Sequence, residues 1–153
     1  MRMQFECNRD ILVNLKLERL PWKPFSSEGG YFVIYDISDC IDLIPQLYLN
    51  SHDFEEGVNK YRLNMPCGRI PHDLAFSRWM AVEHGISMIP LSFLYQVGSP
   101  AIRDNFVRLS IGKLPASIDK FVSKLNEKFF WVSFNNENTR RLSFCWHIDD
   151  RVG

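Results

Sequence analysis

Residues 26–35, with the sequence SSEGGYFVIY, contain a turn and a strand in direct succession. Serine and paired glycines are typical of a tight turn, because glycine adopts left-handed backbone conformations at no steric cost. The aromatic and β-branched run from Tyr31 to Tyr35 then predicts a strand entered through that turn. The glycine pair precedes a strand and matches neither phosphate-binding glycine pattern, so it predicts backbone geometry and no phosphate site.

A second strand is predicted over residues 106–111, where the side chains alternate in character. Arg108 shares one face of this strand with Phe106 and Ser110. A guanidinium there can bind a carboxylate through two parallel hydrogen bonds, a geometry that lysine cannot match. The alternative is an ordinary arginine on an exposed strand face, and the alternation by itself favours that alternative.

Three segments predict helices. The clearest opens at Pro115 and repeats apolar residues at helical spacing: Ile118, Phe121, Val122, Leu125 and Phe129. Residues 3–17 show a weaker helical pattern without internal glycine or proline. The third helix is predicted to begin with Asp73 as its N-cap and to end at Gly85, with His84 complementing the negative end of the helix.

The remaining segments are predicted to be short or irregular. Pro21 and Pro24 predict an end to regular structure, and residues 37–71 predict a connection with at most short helical turns. Residues 87–89 predict a short strand that Pro90 stops. This order of elements predicts the α+β class, with a small sheet and helices packed on one face.

The size and charge of the chain exclude several classes of function. Its 153 residues suit one domain with its own core, and 18 basic side chains balance 18 acidic ones. The composition therefore predicts no nucleic-acid partner and no anionic membrane surface, and no apolar run has membrane-spanning length. Reduced thiols inside the cell are expected, because the four cysteines form no CxxC pair: Cys7, Cys40, Cys67 and Cys145.

No metal or nucleophile motif is complete in this sequence. Cys67, His72 and Asp73 are near one another, but no HExxH or CxxC spacing accompanies them, so no metal site is predicted. The G-x-S-x-G motif is also missing. A serine or cysteine nucleophile assembled from distant positions remains an open alternative.

Four segments resemble one family in the right order: residues 28–34 followed by 36–38, residues 73–95 (DLAFSRWMAVEHGISMIPLSFLY), residues 106–109 (FVRL), and the helix from Pro115. They are similar to the C-terminal small domain of class I/II pyridoxal-phosphate-dependent aminotransferases. Within that family they most resemble the kynurenine–oxoglutarate transaminases, also called cysteine-S-conjugate β-lyases. The resemblance covers residues 8–129, so residues 1–129 are expected to be the small domain and residues 130–153 an atypical tail.

The resemblance implies a fragment of an enzyme that exchanges an amino group between amino acids and 2-oxo acids through pyridoxal phosphate. Arg108 would bind the substrate carboxylate. The family anchors the cofactor on a lysine in a Ser-[Phe/Tyr/Ala]-x-Lys motif of its large domain. No segment of this sequence matches that motif. Lys124 directly follows Ser123 and is expected on a helix surface. This chain alone is therefore expected to hold no cofactor covalently and to be inactive.

The resemblance also implies partners and a location. A homodimer or pairing with a full-length subunit is expected, in the cytoplasm, or in mitochondria for the parent enzyme. Two alternatives remain open. The chain could be a non-catalytic α+β module that binds carboxylates or a partner, or a fragment too incomplete to fold stably, with apolar residues such as Trp79 or Phe93 exposed.

Overall fold

A four-stranded antiparallel sheet is the centre of the fold. The computed structural model describes residues 2–25, 28–50, 70–96 and 99–129. The strands, in chain order, are β1 (Lys23–Phe25), β2 (Phe32–Asp36), β3 (Ile89–Pro90) and β4 (Phe106–Ser110). Their spatial order is β1-β2-β4-β3, and every neighbouring pair is antiparallel. The two longer strands, β2 and β4, therefore lie side by side in the middle of the sheet.

The helices pack on one face of this sheet. They are α1 (Arg2–Asn14), α2 (Gln46–Leu49), α3 (His72–His84) and α4 (Pro115–Phe129), with 3₁₀ turns at Ser38–Leu43 and Leu91–Leu94. Alternate residues of the inner strands are buried beneath them: Val33, Tyr35, Val107 and Leu109. The helices contribute buried side chains that include Leu12, Phe76, Met80, Ile118 and Leu125. The predicted α+β class, with helices on one face, is confirmed.

Two buried polar side chains fasten α1 to the sheet. The hydroxyl of Tyr35 donates a 3.1 Å hydrogen bond to the carbonyl of Leu12. The side-chain amide of Asn8 donates to the carbonyls of Ile111 and Lys113, each at 2.9 Å. A buried polar group is costly unless it is hydrogen-bonded, so these contacts favour one position of the helix over sliding alternatives.

The strand predictions were right for the inner strands and wrong for one edge. The predicted strands at 31–35 and 106–111 are β2 and β4. The prediction that Pro21 and Pro24 end regular structure is wrong, because Pro24 lies inside β1. The strand predicted at 87–89 is found at Ile89–Pro90, so Pro90 ends β3 as its last residue. Both prolines are on edge strands, where a missing N–H leaves no neighbouring carbonyl unpaired.

The helix predictions hold with small shifts at the ends. α1 ends at Asn14 instead of residue 17, and α4 begins at Pro115 as predicted. Gly85 has a left-handed φ of 64° at the end of α3, and the N–H of Ile86 donates 2.9 Å to the carbonyl of Met80. This is the C-terminal glycine cap that the sequence predicted. Gly30 has the positive φ expected of its turn, at 90°.

The long connection after β2 contains only short helical pieces where the structure describes it, as predicted. They are the 3₁₀ turn at Ser38–Leu43 and the four-residue α2. Residues 51–69 and the predicted tail, 130–153, lie outside the described residues. None of the described helices combines the length and the apolar character that crossing a membrane requires.

Candidate functional site

Arg108 lies on the face of the sheet that is opposite the described helices, called the open face below. Its strand, β4, is flanked by β2 and β3, and the register places it opposite Ile34 on one side and Ile89 on the other. Phe25 of β1 is the next residue along the same row, opposite Ile34. The buried residues Val107 and Leu109 on either side point into the core. Strand alternation therefore places Arg108 on the open face, together with Phe106 and Ser110.

The guanidinium of Arg108 rests on an aromatic ring. Its Cζ atom is 4.5 Å from the ring centroid of Phe32, within cation–π range. Its Nε atom is buried and has no hydrogen-bond partner among the described residues. None of the ion pairs found in the described part of the chain involves Arg108. The side chain thus presents a cation that the described residues leave without a carboxylate.

The other charged side chains described on this face are engaged with neighbours. Lys23 pairs with Asp39 at 2.6 Å, and its hydrogen bond and attraction to that carboxylate raise the pKa of Lys23. Although burial acts to raise the pKa of Asp36, hydrogen bonds from Ser38 and Asn105 bring it below its usual value. A carboxylate ligand would therefore find Arg108 the available cation among the described residues of this face.

The surface around Arg108 on the open face is largely apolar. Phe106, two residues before Arg108 on β4, packs against Phe25 with ring centroids 5.7 Å apart. Phe25 is 51% exposed, Ile89 40% and Phe32 37%. Solvent screens the attraction between an arginine and an anion less when apolar side chains surround the arginine than when polar ones do. The surroundings thus strengthen the interaction of Arg108 with an anion.

The start of α3 is held by a residue from the segment before β4. The side chain of Asp104 accepts a hydrogen bond from the N–H of His72 at 2.9 Å, and its carbonyl accepts from the N–H of Asp73 at 2.8 Å. The predicted N-cap role of Asp73 is wrong, because Pro71 occupies the N-cap and makes no side-chain cap. The capping carboxylate comes instead from a distant segment, which local sequence patterns do not show.

Asp73 has a different role inside this cluster. It is fully buried, and its carboxylate accepts hydrogen bonds from the N–H of Ser92 at 2.7 Å and from its hydroxyl at 2.8 Å. Burial raises the pKa of Asp73 to about 6. The Ser92 hydroxyl therefore donates directly to a carboxylate, while His72 pairs with Asp104 at 3.0 Å. These four residues join α3 to the strands and do not form the relay of a serine nucleophile.

The other histidine and cysteine hypotheses gain no support. No group of three or more possible metal ligands occurs within residues 2–25, 28–50, 70–96 and 99–129. The remaining candidates lie outside those residues: His52, Cys67, Cys145 and His147.

His84 packs as an aromatic ring at the end of α3. Its ring centroid lies 4.7 Å from that of Phe129 and 5.3 Å from that of Trp79. Both ring nitrogens are buried without a partner among the described residues, and burial lowers the pKa of His84. The prediction that His84 complements the helix end as a cation is wrong. Lys124 supplies that charge, since its Nζ donates to the carbonyl of Gly85 at 3.2 Å.

Comparison with known proteins identifies relatives for most of the chain. Kynurenine–oxoglutarate transaminase 1 of Mus musculus is 27% identical over 118 residues, and the match covers 77% of this chain and 24% of the relative. The human protein of the same name is 28% identical over 119 residues, covering 78% and 24%. Human kynurenine–oxoglutarate transaminase 3 is 28% identical over 116 residues, covering 76% and 21%. The chain thus spans about a quarter of these curated relatives.

Two solved structures have the same fold. The methionine aminotransferase YbdL of Escherichia coli gives a TM-score of 0.51 at 23% identity, covering 80% of this chain and 24% of that one. Bna3p of Saccharomyces cerevisiae, proposed to be a kynurenine aminotransferase, gives 0.51 at 23% identity, covering 81% and 24%. No family model matches the sequence. The sequence relatives and the shared fold together confirm the resemblance to aminotransferases.

Proposed function

We propose that this aminotransferase-like chain is the small-domain part of a kynurenine-type, pyridoxal-phosphate-dependent aminotransferase, in which Arg108 binds the carboxylate of the amino-acid or 2-oxo-acid substrate. The observation that carries the proposal is the cation of Arg108, placed on the open face of the sheet without a carboxylate partner among the described residues. The names of the sequence relatives supply the substrate class. A carboxylate bound by two parallel hydrogen bonds would hold such a substrate in one orientation.

The described residues do not fit covalent attachment of the cofactor. Pyridoxal phosphate supplies an electron sink when a lysine amine holds it, and that amine must be deprotonated to react. The lysine on the face of Arg108, Lys23, is instead held in its charged form by Asp39. Lys124 donates to the carbonyl of Gly85 at the end of α3, among the helices. Neither of these two lysines is placed to anchor the cofactor, and a chain without the lysine motif of the family is expected to be inactive on its own.

A titration with pyruvate, a 2-oxo acid, tests carboxylate binding by Arg108. Pyruvate should shift the backbone and side-chain resonances around Arg108, and Arg108→Gln should weaken binding by about tenfold or more, given roughly 1.5–3 kcal/mol for a charge-assisted hydrogen bond. Arg103→Gln is the matched control, because Arg103 is an exposed arginine of the segment before β4. Equal affinity for pyruvate in Arg108→Gln and in the wild type would refute the proposed role.

The absence of cofactor chemistry is tested separately. Pyridoxal phosphate mixed with the purified chain and then treated with borohydride should label no single lysine in stoichiometric amount. Specific labelling of one lysine would show that this chain anchors the cofactor itself, and the claim of inactivity would fall with it.

A second candidate function is a module that binds a full-length aminotransferase subunit. The exposed apolar side chains of the open face favour it, because a surface of Phe25, Phe32 and Ile89 is suited to a protein partner. Co-purification with a full-length subunit, lost on Phe25→Ser, would support this candidate. A monodisperse monomer in the presence of that subunit would count against it.

The third possibility, a fragment too incomplete to fold, finds less support. Trp79 is only 7% exposed, so the expectation that it is left uncovered is wrong, whereas Phe93 is 49% exposed as expected. Phe129, at the end of α4, is buried and belongs to the described core. We propose residues 1–129 as the domain and expect a chain cut after residue 129 to keep a cooperative thermal transition.

A further inference from the structure

Phe32 and Arg108 are diagonal neighbours across two inner strands. The register pairs Phe32 with Ser110 and Arg108 with Ile34, so both side chains lie on the open face, two residues apart along the strands. Diagonal positions of an antiparallel pair are within reach of an aromatic ring and a long side chain. The Arg108 Cζ accordingly lies over the Phe32 ring, 4.5 Å from its centroid.

This stack restricts the orientation of the guanidinium. One face of the guanidinium is covered by the ring, and its Nε atom is buried without a partner among the described residues. A ligand in solvent therefore meets the terminal nitrogens and not Nε. A carboxylate must then use both terminal N–H groups, because the side-on alternative requires Nε as a donor.

We propose that Phe32 is a positioning residue for Arg108: its ring holds the guanidinium so that a carboxylate binds end-on, through the two terminal nitrogens. This inference deepens the proposed function and rests on it. An unsupported arginine would lose side-chain entropy on binding, and the stacked ring removes part of that loss before the ligand arrives. The ring also adds its own attraction for the cation.

The neighbouring Phe106 provides a matched comparison. It is on the same face and on the same strand as Arg108, but its ring packs against Phe25 at 5.7 Å. Truncating Phe106 to leucine removes a similar apolar area and leaves the stack on the guanidinium in place. A general loss of packing would therefore affect Phe32→Leu and Phe106→Leu alike, whereas a positioning role affects Phe32→Leu alone.

The experiment uses the whole chain labelled with ¹⁵N-arginine, with the Arg108 Nε–H signal assigned through Arg108→Lys. Phe32→Leu should move this signal in the ligand-free protein, because the ring current of Phe32 is lost. It should also weaken pyruvate binding roughly three- to tenfold. Phe32→Tyr, which keeps an aromatic face, should restore both values, and Phe106→Leu should change neither. Thermal melts confirm that each variant is folded.

The outcomes separate this inference from the proposed function. Pyruvate binding by the wild type and by Phe32→Leu with the same affinity would overturn the positioning role and leave carboxylate binding intact. An unmoved Nε–H signal in Phe32→Leu would overturn it as well. A wild type that does not bind pyruvate would refute the proposed function, and with it any role of Phe32 in orienting a ligand.

Discussion

Ser92 gives both its backbone N–H and its hydroxyl to the buried carboxylate of Asp73, at 2.7 and 2.8 Å. The pair joins the first turn of α3 to the 3₁₀ turn that follows β3. It therefore fixes how α3 lies against the edge of the sheet beside Arg108. Because a carboxylate is costly to bury, this contact also makes the stability of the fold depend on pH.

Asp73→Asn should remove part of that pH dependence. Burial raises the pKa of Asp73 from 3.8 to about 6, so the folded state binds a proton more readily than the unfolded chain. The contribution of Asp73 to stability is complete below the unfolded pKa and is lost as pH rises through about 6. The free energy of unfolding of the wild type, relative to Asp73→Asn, should thus fall by on the order of 2–3 kcal/mol between pH 4 and 7.5.

Urea denaturation of both proteins across this range measures the difference. Asp42→Asn, which alters an exposed carboxylate, is the control for the general effect of removing one negative charge. A difference between wild type and Asp73→Asn that does not change with pH would show that Ser92 and the helix end compensate the burial of the charge.

The contribution of His84 to the pH dependence of stability should have the opposite sign to that of Asp73. Burial lowers the pKa of His84, which has Glu83 on its own helix and Lys128 on α4 nearby. A group with a lowered folded pKa contributes stability above its unfolded pKa and loses it as pH falls through the folded value. His84→Phe keeps the ring against Trp79 and Phe129 and removes the ionisation. Its melting temperature should therefore fall less than that of the wild type on going from pH 7.5 to 5.

Thermal melts of the two proteins at both pH values test this. Parallel loss of stability in wild type and His84→Phe would contradict the burial of His84 between the two rings.

Asp104→Ala should destabilise the start of α3. Its carboxylate and carbonyl satisfy the N–H groups of His72 and Asp73, and only the carboxylate is removed by the substitution. Loss of a capping side chain costs about 0.5–2 kcal/mol. Urea denaturation should show this loss for Asp104→Ala, whereas Asp42→Ala on the surface should stay within roughly 0.5 kcal/mol of the wild type. Equal stability of the two variants would show that Asp104 is not the cap.

Leu125→Ala tests how far α4 belongs to the core. Leu125 is 0% exposed, while Leu114, just before the helix, is 71% exposed. Truncation of a buried leucine to alanine costs about 2–5 kcal/mol, because transfer energy is lost and a cavity remains. Leu114→Ala deletes the same atoms at the surface and should cost less than about 0.5 kcal/mol. Similar unfolding free energies for both variants would show that α4 is not part of the core.

Local patterns predicted the inner strands and α4, because alternation and helical spacing are properties of neighbouring residues. The edge strand β1 was missed since Pro24 suggests a break, and only the position at a sheet edge makes it acceptable. The role of Asp73 depended on Ser92, which lies 19 residues further along the chain. Spacing could not reveal that contact.

The placement of Arg108 was predictable and its environment was not. Alternation along residues 106–111 indicated the face, while the ring of Phe32 and the buried Nε follow from pairing between β2 and β4. The role of Arg108 in binding a substrate carboxylate came from the resemblance to aminotransferases and stays a prediction. The aromatic neighbour of such an arginine could be found from sequence by looking for an aromatic residue at the diagonal position of the predicted partner strand.

The most direct measurement of carboxylate binding is the response of the Arg108 side-chain resonances to pyruvate and to methyl pyruvate, its ester. Pyruvate should shift them with saturation, and the ester, which lacks the carboxylate, should not. Identical responses to the two compounds, or none to either, would contradict the role of Arg108 as the carboxylate-binding residue.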